Sequence, residues 1–171
     1  MSINTARNQY GGTPQHPTLF GVTFSNNPET VFWLKGTSIP ARTIKHETIP
    51  WMNGDYHFAA RSTGSGVWTC SFYVFEDMAP MKWLYSWYQQ TYDWRTGTYG
   101  AKANYSTDAS VFLMDSTAQN KTLHFQMFHV MITDIGGIEG LDFANDSPLA
   151  VSCSFAYEDF DISFDGDGFS R

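Results

Sequence analysis

The chain has 171 residues, 42% hydrophobic, 17% aromatic and 16% charged, with a net charge of −7. That apolar content suits one packed domain and excludes a disordered chain, and no apolar run reaches the ~18 residues of a membrane span. The acid excess excludes a basic nucleic-acid clamp, and two cysteines, Cys70 and Cys153, do not make a disulfide framework.

Residues 1–16 are rich in Asn, Gln, Gly, Thr and Pro, contain no apolar signal-peptide core, and read as a polar N-terminal arm. Phe20, Val22 and Phe24 alternate with Gly21 and Thr23, the period of a strand. Asn26-Asn27-Pro28 marks a turn, and a second strand is expected over residues 30–36, closed by Ser38-Ile39-Pro40. Residues 41–61 predict a long hairpin that turns at Asn53-Gly54. Neither face of its first arm is cleanly apolar, so it makes a poor core element and a better projection toward another subunit.

Residues 67–75 predict a strand with Trp68, Cys70, Phe72 and Val74 on one face. The period then lengthens: Met81, Leu84, Tyr85 and Tyr88 predict a helix over residues 79–90, with Asp77 as N-cap and Trp83 and Trp87 as a second stripe. Residues 91–109 read as a Tyr-rich loop, 110–114 as a short strand and 122–132 as a longer one. Gly136, Gly137 and Gly140 turn residues 135–147 into an expected loop. The last strand, 149–157, puts Val151, Cys153 and Phe155 on an apolar face and Ser152, Ser154 and Glu158 on a polar one. Residues 134–171 carry nine acids against one base, so the charge asymmetry sits at the C-terminal end.

Chemical motifs are nearly absent. The sequence has no phosphate-cradling glycine loop, zinc-protease helix or nucleophile elbow. His124 and His129, five apart on one strand, are expected on opposite faces, which separates them as ligands. The acidic run at residues 165–168 begins like a calcium loop but lacks the distal glutamate. Nothing here calls for a cofactor, a metal or an enzymatic role.

The order of elements carries more information. The opening His16-Pro17-Thr18-Leu19-Phe20-Gly21-Val22, the Ser38-Ile39-Pro40 strand end, Asp115 before a turn and the closing residues 151–160, with Phe155-Ala156-Tyr157, resemble the tail tube proteins of contractile-tailed bacteriophages. Those are related to the inner-tube proteins of type VI secretion and other contractile injection systems. The resemblance covers about residues 17–162. The Tyr-rich loop and the acidic tail, 163–171, depart from it. It implies a mainly β chain, a small β-sandwich or barrel with one short α-helix and a long protruding hairpin, which completes a shared multi-subunit β-barrel on oligomerisation. It also implies hexameric rings stacked into the inner tail tube, a conduit for the genome. The implied partners are other copies, the sheath, baseplate or tube-initiator proteins and a terminator. DNA passes without sequence-specific binding, in a virion tail assembled in the host cytoplasm.

Size supports an oligomeric function. Eight strands tilted by ~40° close a barrel only about 16 Å across, which side chains fill, whereas 24 strands from six copies would reach about 48 Å. A conduit lined by cations would hold its phosphates, so an acidic or neutral lining is expected. Asp134, Glu139, Asp142, Asp146, Ser152, Ser154 and Glu158 are the candidates for that lining. Ile44, His46, Thr48, Met52, Asn53, Gly54 and Tyr56 of the hairpin are the candidates for contact between rings. The competing readings are a tube-initiator or terminator ring of the same fold, a carbohydrate-binding β-sandwich stacking sugars on Trp51, Trp68 and Trp94, and a paired-carboxylate glycosidase.

Overall fold

A computed structural model describes residues 17–40, 43–63, 66–117, 120–139, 147–164 and 167–168; the expected arm, Asp142 and Asp146 lie outside the described residues. The chain is mainly β, as expected. Strand β1 (Phe20–Phe24) buries Val22 and Phe24. The expected second strand is split. Asn27 caps a 3-10 turn over Pro28–Phe32, its side chain accepting from the Glu29 N–H, and Thr30 Oγ1 donates to the Asn27 carbonyl at 3.0 Å. A capping Asn followed by Pro favours helical φ at that point and overrides the apolar alternation that follows. Strand β2 is what remains, Leu34–Thr37.

Strands β3 (Thr43–Trp51) and β4 (Gly54–Thr63) form the long hairpin as a separate two-stranded sheet. Its turn lies one residue earlier than expected. Trp51 pairs with Gly54, so Met52 and Asn53 are the turn residues, and Met52 takes the positive φ of 49°. Strand β5 spans Gly66–Tyr73 and helix α1 spans Ala79–Thr91. The helix cap is Met78, with φ 57°, while Asp77 Oδ1 accepts from the Ala79 N–H at 3.0 Å. The helix buries Pro80, Leu84 and Trp87 and packs Met81, Trp83 and Tyr88 against the core, so both expected stripes face inward and of their residues only Tyr85 is exposed.

The Tyr-rich segment is structured. It forms a small hairpin of β6 (Tyr92–Asp93) and β7 (Thr98–Tyr99), then a second short helix α2 (Lys102–Tyr105). Gly97 takes φ 69° in the turn, and the Tyr92 and Tyr99 rings meet at 4.9 Å. Strands β8 (Thr107–Met114), β9 (Lys121–Glu139), β10 (Ala150–Tyr157), β11 (Asp159–Phe164) and β12 (Asp167–Gly168) complete the chain. Strand β11 crosses the boundary expected at residue 162, and β12 pairs back onto it.

The 19-residue β9 organises the molecule. Its first half pairs with β8 on one side and β11 on the other; its second half pairs with β10, in the order β9-β10-β5-β2. The two halves meet at His129, which has φ 54° and whose N–H donates to Asp108 Oδ1 at 3.2 Å. Phe125 and Met127 are buried before it and Val130 and Ile132 after it. The inward set thus jumps by three residues, as at a β-bulge, and the odd-even reasoning applied to His124 and His129 breaks there. The strand bends from one layer into the other at this point.

Between the layers lies an aromatic core. Phe24 has Trp68, Trp83, Trp87 and Phe155 around it, with ring centroids at 5.5, 5.3, 5.6 and 5.2 Å. Each fully buried ring contributes roughly 1.5–3 kcal/mol relative to exposure. The indole N–H groups are satisfied: Trp68 Nε1 donates to Thr37 Oγ1 at 2.8 Å and Trp87 Nε1 to the Tyr105 carbonyl at 2.6 Å. Trp68 is buried while Trp51 and Trp94 are exposed on separate hairpins, so the three do not make a sugar-stacking platform.

Candidate functional site

Strand alternation builds the first candidate surface. Trp68, Cys70 and Phe72 of β5 and Val151, Cys153 and Phe155 of β10 point into the core, so their neighbours point out. In register, Ser152 opposes Ser71, Ser154 opposes Thr69, and Ser154 opposes Asp134 across β9. The Ser71 and Ser152 hydroxyls are 3.2 Å apart, and Thr133 Oγ1 donates to the Ser154 carbonyl at 2.9 Å. Lys35 on β2 sits at the edge, its Nζ 5.9 Å from the Tyr73 ring centroid. The result is an open sheet face of small hydroxyls with few charges.

This face brings together Asp134, Ser152 and Ser154 of the expected lining and adds Thr69 and Ser71. Alternation with Trp68, Cys70 and Phe72 turns Thr69 and Ser71 away from the core, but only the β5–β10 pairing sets them beside the serines. Glu158 lies past the end of β10, ion-paired with Lys102 of α2. The Lys102 hydrogen bond holds its carboxyl below the usual range, with His129 adding to the pull. Lys102, Ser106, His129, Met131, Tyr157 and Glu158 line a shallow pocket there, in which Ser106 Oγ and His129 Nδ1 are 3.3 Å apart. The Glu139 backbone pairs with Ala150, and its side chain lies outside the described ones.

The second surface is the hairpin, exposed along residues 44–60. Cross-strand partners share a face. Glu47 opposes Phe58, Ile49 opposes Tyr56 and Trp51 opposes Gly54, so Phe58, Ile49, Tyr56 and Trp51 form an apolar patch on one face, with Glu47 at its end away from the turn. Thr48 opposes His57, Pro50 opposes Asp55, and Ile44 and His46 fall on that same, polar face. The expected contact residues therefore divide: Tyr56 is on the apolar face, Ile44, His46 and Thr48 on the other, and Met52 and Asn53 at the tip, with Met52 93% exposed. A turn at Met52-Asn53 and one at Asn53-Gly54 both put Ile49, Trp51, Tyr56 and Phe58 on one face; the observed turn decides only which of them stand directly opposite, Ile49 against Tyr56.

Neither cysteine thiol is activated. Burial pushes the Cys70 thiol up and raises Cys153 to about 12, the behaviour of core thiols. No group of three or more His, Cys, Asp or Glu among the described residues is placed to hold a metal.

No protein-family model matches the chain, and no curated protein matches it in sequence. Solved structures do. A chain of the anti-feeding prophage cap (the AFP tube terminating cap) superposes with a TM-score of 0.66 at 13% identity, over 90% of this chain and 93% of that one. A chain of the anti-feeding prophage baseplate gives 0.67 at 13% identity, over 91% and 99%. A chain of the PVC sheath-tube complex of an extracellular contractile injection system, in its extended state, gives 0.63 at 12%, over 96% and 99%. The chain thus has the tail-tube-like fold of contractile injection systems.

Proposed function

We propose that this protein is the subunit of the inner tube of a contractile phage tail. Copies close into a ring, hexameric by the resemblance, and rings stack into a conduit through which the genome leaves the particle. The open hydroxyl face of β2, β5, β10 and the second half of β9 carries this reading. It is a sheet face that adjoining copies can extend, whereas the interior of one copy is filled by Phe24, Trp68, Phe72 and Phe155. A wall of Thr69, Ser71, Ser152 and Ser154 with Asp134 presents phosphates with hydroxyls and a carboxylate rather than an array of cations, so duplex DNA slides along it. Glu139, Asp142 and Asp146, which follow in sequence, belong to the same proposed lining.

The hairpin is the proposed axial contact. Its apolar face of Ile49, Trp51, Tyr56 and Phe58, with Met52 at the tip, is buried against the next ring, with Ile44, His46 and Thr48 at the margin. Sheath, baseplate and terminator proteins meet the outer and end surfaces, in a virion tail assembled in the host cytoplasm.

Negative-stain microscopy of the untagged protein at rising concentration tests the proposal. Hollow tubes are expected; particles that stay solitary at high concentration overturn it. The similarity to a tube terminating cap supports a second reading, a terminator or initiator ring. Single closed rings that never elongate would favour it.

A further inference from the structure

The polar face of the hairpin carries two histidines on opposite strands. His46 of β3 and His57 of β4 are diagonal neighbours, since His46 opposes Ala59 and Thr48 opposes His57. Both are exposed. Their ring centroids are 5.3 Å apart with planes at 81°. An imidazole nitrogen binds a zinc-type ion at 2.0–2.1 Å in its ring plane, so two rings sharing one tetrahedral ion have centroids about 5 Å apart. The pair already stands at that separation.

A further contact prepares one ligand. Thr48 Oγ1 lies 3.0 Å from His57 Nδ1. With Nδ1 donating its proton to that hydroxyl, His57 presents an unprotonated Nε2, the form a metal takes, and the ring is held in orientation.

We propose that His46 and His57 form a two-imidazole chelate for a divalent transition ion of the zinc, nickel or copper type, with water in the remaining positions. Imidazole donors select these ions over magnesium and calcium, which prefer oxygen. The ion would join β3 to β4 directly. That matters because, among the described residues, these strands pair only with each other in a two-stranded sheet, and such a hairpin is marginally stable by itself. The proposal is independent of the tube reading, since it needs neither a ring nor a stack.

Calorimetric titration of the tag-free full chain with Ni²⁺ and with Zn²⁺ tests it, alongside His46→Ala, His57→Ala, Thr48→Val and the control His124→Ala. Both histidines are at exposed positions, so both variants should retain the fold, checked by far-UV circular dichroism. One ion per chain is expected, lost in His46→Ala and in His57→Ala and retained in His124→Ala. Thr48→Val should weaken binding by about 10-fold, the size typical of an outer-shell partner. Amide exchange across residues 44–60 should slow when the ion is bound. Equal binding in wild type and both histidine variants, or no binding at millimolar metal, overturns the proposal.

Discussion

The carbonyl oxygen of Ser152 stands 2.6 Å from the point that a Cβ on Gly136 would occupy. Gly136 sits where β9 and β10 shift register between Val151 and Cys153, and the strands approach that closely because no side chain separates them. Gly136→Ala should therefore cost about 1–3 kcal/mol. Gly137→Ala, with nothing within 4 Å of its added Cβ, should stay within about 0.5 kcal/mol. Urea denaturation of the two variants makes the comparison.

Phe24 joins β1 to α1 and to both core strands of the second layer through its four ring contacts. Phe24→Ala should destabilise the fold by about 3–5 kcal/mol. Phe24→Leu, which keeps most of the volume, should cost less. Thermal unfolding followed by near-UV circular dichroism reads both.

Cys70 and Cys153 oppose one another in register on β5 and β10, buried and free. With both thiols held protonated by burial, a thiol reagent should leave the native chain unmodified at pH 8 and label two sites in denaturant. Rapid native labelling at either site would contradict the core placement.

Two groups give stability opposite dependences on mutation but the same dependence on acid. The lowered carboxyl of Glu158 stabilises above the ordinary glutamate value of about 4.3 and loses that contribution as pH falls through its folded value. Glu158→Gln should therefore lower Tm at neutral pH, by an amount that shrinks progressively as pH falls below about 4.3; salt should shrink the neutral-pH difference. His124 is held below its usual range by burial and by Lys121. The folded chain resists its protonation, so stability falls as pH drops below about 6.5. His124→Gln should flatten the pH–Tm curve between pH 6.5 and 5.

Replacing Ile49, Trp51 and Phe58 together by Thr should leave Tm nearly unchanged, because all three are exposed in the single chain. On the tube reading it should abolish elongation, as should deletion of residues 49–55. Filaments of normal length from either variant, seen by microscopy, would remove the hairpin from the axial contact.

The strands β1, β5 and β10 and the helix were legible because one side of each is apolar at a fixed period. Trp68-Cys70-Phe72 and Val151-Cys153-Phe155 needed no partner to be read as inward. The stretch 135–139 was not legible. Glycines there suggest a loop, yet β9 continues through them because β10 supplies its hydrogen bonds and Gly136 permits the approach. Likewise, nothing local to residues 92–105 states that Trp87 Nε1 will anchor the Tyr105 carbonyl and order the segment into β6, β7 and α2.

The candidate surfaces divide in the same way. Local alternation determined that Ser152 and Ser154 face away from the core, from the two-residue repeat of an extended chain, and local turn chemistry at Asn53-Gly54 determined that a hairpin turns there, to within one residue. Which side chains stand next to one another was decided by pairing register. The β5–β10 register puts Ser71 against Ser152, the turn at Met52-Asn53 puts Ile49 with Tyr56 and His46 near His57, and the bulge at His129 bends β9 between layers. Register depends on hydrogen bonds between residues distant in the chain, and one residue of slip exchanges the two faces of a strand.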